Sequence, residues 1–134
     1  MSNIQKTDNK VSTLIELLHN NHEIKPFLED VYLTTVYVAG LFYIGNIDEI
    51  FPKIKKGDRL ELFLEKNNPN DCNAILVKYC GEKIGYVPRS DNVILANLMD
   101  VGKLLYGVVL DASIGEVYDG DDLKMIKFKI FLKE

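Results

Sequence analysis

The polar cluster at residues 67–71, Asn-Asn-Pro-Asn-Asp, constrains the fold of this chain most, because it lies between two runs that favour strands. Before the cluster, Leu60, Leu62 and Leu64 recur at the period-two spacing of a half-buried strand. After it, residues 74–79 are rich in β-branched and aromatic side chains, which favour strands. The cluster therefore predicts a turn-forming loop held on a rigid sheet, where binding groups are often placed.

Short strand patterns separated by turns run through the rest of the chain and are interrupted by one helical pattern. Strands are predicted over residues 33–39, 60–64, 74–79, 83–87, 104–112 and 125–132. A helix is predicted near residues 93–99, with Ser90 or Asp91 as its cap and Gly102 as its stop. Because helices do not alternate with strands, a parallel α/β fold is disfavoured. We predict a mostly β fold, a small barrel of the oligonucleotide/oligosaccharide-binding (OB) type with about six strands and one inserted helix.

The first part of the chain differs from this pattern. Residues 1–30 predict an N-terminal helical extension, in which Ser12 caps a short helix that runs to about His19. Leucines at positions 14, 17 and 18 form its apolar stripe. We therefore predict two regions, the extension at 1–30 and the barrel-like domain at 31–134.

The charge of the chain weakens one class of function without excluding it. The 16 basic and 20 acidic residues give a net charge of −4, whereas a salt-driven nucleic-acid binder is usually basic. Residues 31–104 carry nine basic and nine acidic side chains, so this middle region is neutral. A local positive face remains compatible with that balance.

Several other functions have no support in the residues. Cys72 and Cys80 form no CxxC pair, and no Cys/His set has zinc spacing. With no signal peptide, we expect free thiols in a reducing cytoplasm. No apolar run approaches the roughly 20 residues of a membrane span. Since no nucleophile–base pair, phosphate loop or metal motif is present, we expect no catalytic residue, no metal, no cofactor and no enzyme activity.

The polar loop has two readings that its chemistry leaves open. Asn68 and its neighbouring asparagines tolerate left-handed backbone, and Pro69 stiffens the loop, which lowers the entropy lost on binding. Asp71, when ionised, accepts hydrogen bonds from a ligand hydroxyl or from backbone N–H groups. The loop is thus either a binding site or a set of side chains that satisfy one another and the turn.

Three motifs at fixed spacing carry a family resemblance. They are Tyr-Val-Ala-Gly-Leu at 37–41, Glu-Lys-Asn-Asn-Pro-Asn-Asp-Cys-Asn-Ala-Ile at 65–75 and Ile-Gly-Tyr-Val-Pro-Arg at 84–89. Together they resemble the HIRAN domain over residues 31–112. That family occurs at the N-terminus of some SWI/SNF-type DNA translocases and as small stand-alone bacterial proteins.

The resemblance implies an OB-like domain that recognises single-stranded DNA, and in eukaryotic members a free 3′ end. It places Asp71, with Asn68 beside it, at the terminal 3′ hydroxyl. Tyr43 then stacks on a terminal base, Tyr86 lines the pocket and Arg89 meets a phosphate. The residues alone leave another reading for Arg89, as a solvated side chain or a partner of its neighbour at position 91.

Three positions depart from the eukaryotic DNA-end readers. Phe42 stands where they carry an arginine, and Ile44 and Asn70 stand where they carry aromatic residues. Phe42 is able to stack on a base, although it cannot neutralise a phosphate, and its alternative place is the core.

We therefore expect a non-catalytic nucleic-acid-binding module for single-stranded DNA or its 3′ end, with Phe42, Tyr43, Asn68, Asp71, Tyr86 and Arg89 as its site. The alternative is a protein-interaction module that uses the same pocket or the N-terminal helix.

Overall fold

The computed structural model describes residues 29–115 and 123–134. The helix predicted in the N-terminal extension lies outside the described residues. The chain divides into two units, Met1–Asp30 with Glu134, and Val31–Lys133. The fold of the second unit is given below.

Six strands and two short helices make up the described part of this unit. In chain order they are β1 (Val31–Tyr37), α1 (Ile47–Ile50), β2 (Arg59–Leu64), β3 (Ile75–Tyr79), β4 (Glu82–Tyr86), α2 (Asn92–Asp100), β5 (Leu105–Gly115) and β6 (Leu123–Leu132). Three 3₁₀ turns, Leu41–Tyr43, Phe51–Lys53 and Arg89–Asp91, connect them. The predicted mostly β composition is confirmed, and the inserted helix follows the fourth strand as expected.

All six strands join one antiparallel sheet in the order β1-β6-β5-β2-β3-β4. The sheet is not closed, so the predicted barrel is correct only in a loose sense. Its two edges meet through a single bridge, in which Ala39 and Tyr86 exchange backbone hydrogen bonds of 2.7 and 2.8 Å. The first strand was predicted to reach residue 39 but ends at Tyr37. After Tyr37 the chain leaves β6, and Ala39 pairs with Tyr86 of β4 instead.

The core lies against one face of this sheet. Leu60 and Leu62 are buried, whereas Phe63 between them is 45% exposed, so the period-two prediction for β2 is confirmed. Helix α2 closes one end of the core with Leu95 and Ala96. Large residues of the other strands complete it; these include Ile75, Val77, Ile84, Ile126, Phe128 and Ile130. Cys72 and Cys80 are free cysteines, as predicted, and both are exposed.

Candidate nucleic-acid interface

The loop between β2 and β3 is held in shape by its own side chains. The Oδ1 atom of Asn68 accepts hydrogen bonds from the backbone N–H groups of Asn70 at 2.9 Å and Asp71 at 3.2 Å. Asp71 in turn accepts the N–H of Asn73 at 2.9 Å through Oδ1. These local bonds are the type that asparagine and aspartate form in turns. The loop side chains therefore do satisfy hydrogen-bonding groups of their own turn, as one of the two interpretations of the loop predicted.

Asp71 is also held by residues from outside the loop. Its Oδ2 atom accepts a hydrogen bond from the side-chain amide of Asn92 at 2.9 Å, and the Nε atom of Arg89 lies 3.4 Å from the same oxygen. The N–H of Asn73 lowers the pKa of Asp71 most, followed by the amide of Asn92, with a smaller effect of Arg89. Partial burial opposes these effects without reversing them. The carboxylate is therefore ionised at neutral pH.

Arg89 is anchored at the rim of the loop. Besides its ion pair with Asp71, it donates a hydrogen bond from Nη2 to the backbone carbonyl of Asn70. Its side chain is nevertheless 72% exposed. These bonds use two of the five guanidinium N–H groups, and the other three make no hydrogen bond to the described residues. The alternative partner, Asp91, instead accepts the hydroxyl of Ser90.

Glu65 joins the loop to β4. Its Oε1 atom accepts hydrogen bonds from the hydroxyl of Tyr86 at 2.9 Å and from the amide of Asn68 at 3.1 Å. The ammonium of Lys83 lies 4.9 Å from the centroid of the Tyr86 ring, within the range of a cation–π contact. Tyr86 therefore has a defined orientation beside Asn68.

The glycine of the Ile-Gly-Tyr motif allows β4 to approach the opposite edge of the sheet. Gly85 has φ +152°, and a Cβ atom built on it would lie 2.4 Å from the carbonyl oxygen of Ala39 and 2.5 Å from Cγ1 of Val38. Real Cβ atoms do not make contacts this short. The absence of a side chain at Gly85 is what permits the bridge between Ala39 and Tyr86.

The exposed aromatic pair Phe42 and Tyr43 follows this bridge. Gly40 has φ +77°, a left-handed conformation that glycine adopts without strain, and it starts the 3₁₀ turn that carries both rings. Phe42 is 82% exposed and Tyr43 87% exposed, with ring centroids 5.8 Å apart. The alternative that placed Phe42 in the core is wrong. Ile44, by contrast, packs against the core.

An open pocket of about 360 Å³ gathers most of these groups. It is lined by Ala39, Asn68, Asn70, Asp71, Ala74, Tyr86, Val87, Arg89 and Asn92. Four of the six predicted site residues are among them: Asn68, Asp71, Tyr86 and Arg89. Phe42 and Tyr43 do not line the pocket, and they project from the turn that begins just after Ala39.

Two residues of the site were missed by sequence reasoning. Asn92 is the one polar residue in the described part of the chain that is almost fully buried, at 2% exposure, and it reaches Asp71 from the start of α2. Glu65 connects Asn68 and Tyr86. Neither has a signal in the linear pattern, because an asparagine at a helix start and a glutamate directly after a strand are both ordinary.

Among residues 29–115 and 123–134, no group of three or more His, Cys, Asp or Glu side chains is arranged to hold a metal ion. In the same ranges, no helix is long and apolar enough to cross a membrane.

Comparison with known proteins gives a consistent picture. The sequence model of the HIRAN domain matches residues 31–129. A crystal structure of a protein from Lactobacillus plantarum is 32% identical, with 76% of this chain and 96% of that chain covered and a TM-score of 0.59. The crystal structure of the HIRAN domain of human HLTF is 23% identical, with 78% and 81% covered and a TM-score of 0.54. These neighbours are OB-like, which confirms that part of the predicted fold class. No curated protein matches the chain.

Proposed function

The chain belongs to the HIRAN domain family, and from this premise we propose that it is a non-catalytic module that binds single-stranded DNA at a 3′ end. HIRAN domain homologues are nucleic-acid-binding modules. Recognition of the 3′ end is the finer part of the proposal, and it rests on the chemistry of the pocket. A cytoplasmic location stays a prediction.

The hydrogen-bond geometry of the Asp71 carboxylate is the observation that carries the proposal. A carboxylate oxygen accepts about two hydrogen bonds, and among the described residues the Oδ1 atom of Asp71 accepts only the N–H of Asn73. Oδ1 therefore retains an acceptor position for a hydroxyl donor. A terminal 3′ hydroxyl satisfies that position, whereas a 3′ phosphate brings negative charge against a carboxylate. The pocket thus favours a hydroxyl end over a phosphorylated one.

The other proposed contacts use groups that remain available at the surface. The exposed rings of Phe42 and Tyr43 offer stacking surfaces for bases, and base–aromatic stacking is tolerant of sequence. Arg89 has three N–H groups that make no bond to the described residues, so it is able to meet a phosphate while Asp71 holds its Nε. Asn68 keeps the loop closed around Asp71.

Fluorescence anisotropy with otherwise identical single strands that end in a 3′ hydroxyl or a 3′ phosphate tests the proposal. We expect tighter binding of the hydroxyl strand, and loss of that preference in Asp71→Asn. Asp100→Asn is the matched control, because it removes an exposed carboxylate on α2 that pairs with Lys66 outside the pocket. Equal binding of both strands, unchanged by Asp71→Asn, would remove the claim of end recognition.

A protein-interaction module is the second candidate, and one observation favours it. Val93 and Ile94 on the outside of α2 are 52% and 73% exposed, in addition to the exposed pair Phe42 and Tyr43. Exposed apolar side chains of this kind fit a partner chain as well as a nucleic acid. Salt dependence separates the two candidates, since phosphate contacts release counterions and weaken steeply as salt rises.

Absence of catalysis is part of the proposal and has its own test. A labelled single strand incubated with the protein and Mg²⁺ or Mn²⁺ is expected to remain intact. Shortening of the strand that disappears in Asp71→Asn would show that the pocket is an active site.

A further inference from the structure

Phe63 is an exposed ring on the outer face of the sheet that the pocket does not use. It lies on β2, where the residues before and after it, Leu62 and Leu64, face the core side, and its own side chain is 45% exposed. The ammonium of Lys78 on β3 lies 5.1 Å from the ring centroid. A solvent-facing aromatic ring beside a cation is the combination that binds bases by stacking and phosphates by charge.

The orientation of Lys78 is not the one that its cross-strand neighbour favours. Glu61 is the register partner of Lys78 on β2, and opposite charges in that relation normally attract. The two nevertheless form no ion pair, and the carboxylate of Glu61 instead accepts the N–H of Gly81 at 3.3 Å. The ammonium of Lys78 is thus placed over Phe63, in reach of an incoming phosphate.

A direct row of side chains links Phe63 to the pocket. Phe63 is the register partner of Leu76 on β3, and Leu76 is the register partner of Tyr86 on β4. Register partners project from the same face of a sheet, so Phe63 and Tyr86 lie on one face. Adjacent strands are about 4.8 Å apart, which places the backbones at these two residues about 10 Å apart. Each ring has a lysine over it, Lys78 for Phe63 and Lys83 for Tyr86.

We propose that Phe63 and Lys78 form a second binding position for a single-stranded nucleic acid, which stacks a base and contacts a phosphate of a strand whose end occupies the Asp71 pocket. This inference rests on the proposed function and adds the path of the strand, from the pocket past Tyr86 and across β3 to β2. Acidic groups along the path are already engaged: Glu65 by Tyr86 and Asn68, and Glu61 by Gly81.

The length of the strand provides the test. A dinucleotide with a 3′ hydroxyl fills the pocket without reaching Phe63, whereas an octanucleotide extends across the face. We expect Phe63→Leu to weaken binding of the octanucleotide about fivefold or more in an NMR titration, as the loss of one stacked base implies, and to leave binding of the dinucleotide unchanged. Tyr32→Leu is the matched control, because Tyr32 is a comparably exposed ring on β1. Lys78→Gln is expected to reduce the salt dependence of octanucleotide binding and to leave that of dinucleotide binding unchanged.

The outcomes separate this inference from the proposed function. Octanucleotide binding that depends on Asp71 but not on Phe63 would overturn the inference and leave the pocket in place. An equal loss for both lengths, or an equal loss in Tyr32→Leu, would overturn it too, since the effect would not belong to a second position. Absence of binding to either strand would overturn both proposals together.

Discussion

Asn92 and Asp71 are 21 residues apart in the chain, yet the side-chain amide of Asn92 donates a 2.9 Å hydrogen bond to the Oδ2 atom of Asp71. Asn92 is 2% exposed, so its orientation is set by packing at the start of α2. Helix α2 therefore positions the loop that carries the proposed acceptor of the 3′ hydroxyl.

Replacing Asn92 with alanine is expected to affect stability and the site together. Loss of a buried, hydrogen-bonded amide costs about 1–3 kcal/mol of the free energy of unfolding. The pKa of Asp71 should rise toward its ordinary value, because the second-largest cause of its lowering is removed. Urea unfolding measures the first effect and an NMR pH titration the second. Asn97→Ala, at an exposed position of the same helix, should change neither the free energy of unfolding nor the pKa of Asp71. An unchanged pKa of Asp71 in Asn92→Ala would contradict the role given to the hydrogen bond between Asn92 and Asp71.

Acid should remove the contribution of Asp71 to stability. Its pKa in the folded protein lies below the ordinary 3.8, so its stabilisation is fully present above about pH 3.8 and is lost as the pH falls through the folded value. Asp71→Asn should consequently flatten the decline of stability below pH 3.8. A set of urea unfolding curves across that range tests this, and identical acid dependence of the two proteins would refute it.

Alkali should remove the contribution of Tyr79 to stability. Its hydroxyl donates to Asp58 at 2.8 Å, and this bond is the main reason that the pKa of Tyr79 is raised from 10.0 to about 12. A raised pKa means that the stabilisation is complete below pH 10 and is lost as the pH rises through about 12. Tyr79→Phe should therefore be less stable than the parent below pH 10 and lose less stability above it. Tyr43→Phe, a change at the surface, should follow the parent in both ranges.

Gly85→Ala should weaken the bridge that joins the two edges of the sheet. The new Cβ atom would clash with the carbonyl oxygen of Ala39, so backbone must shift at a cost of about 1–3 kcal/mol. Gly45→Ala is the matched control, because a Cβ atom there meets nothing within 4 Å. Thermal unfolding of both variants gives the comparison. Similar midpoints for the two would show that β4 tolerates a side chain at this position.

Arg89→Gln should alter the salt dependence of binding more than its specificity. One lost phosphate contact reduces the slope of log affinity against log salt by about 0.7 for a single strand. Anisotropy at several salt concentrations measures the slope, and the preference for a 3′ hydroxyl should persist. Lys103→Gln should leave the slope unchanged, because Lys103 is an exposed basic residue that follows the end of α2. A slope that Arg89→Gln does not reduce would exclude Arg89 as a phosphate contact.

Sequence by itself determined the six strands, helix α2 and the family, but not the short helix α1. The spacing of Leu60 and Leu62 predicted the inner face of β2, and the asparagines of the loop predicted its turn. The loop motif together with the motif around Gly85 pointed to the HIRAN domain. These inferences succeed because strand periodicity and turn preference depend on neighbours within a few residues.

Only the tertiary structure decided how those elements cooperate. The contacts of Asp71 with Asn92 and of Glu65 with Tyr86 join residues 21 positions apart, and the bridge between Ala39 and Tyr86 joins the two edges of the sheet. No local spacing encodes such pairs, because they depend on where α2 and β4 pack against the rest of the core. The loop could therefore be predicted from the sequence. The pocket around Asp71 forms only when the two edges of the sheet meet at the bridge between Ala39 and Tyr86.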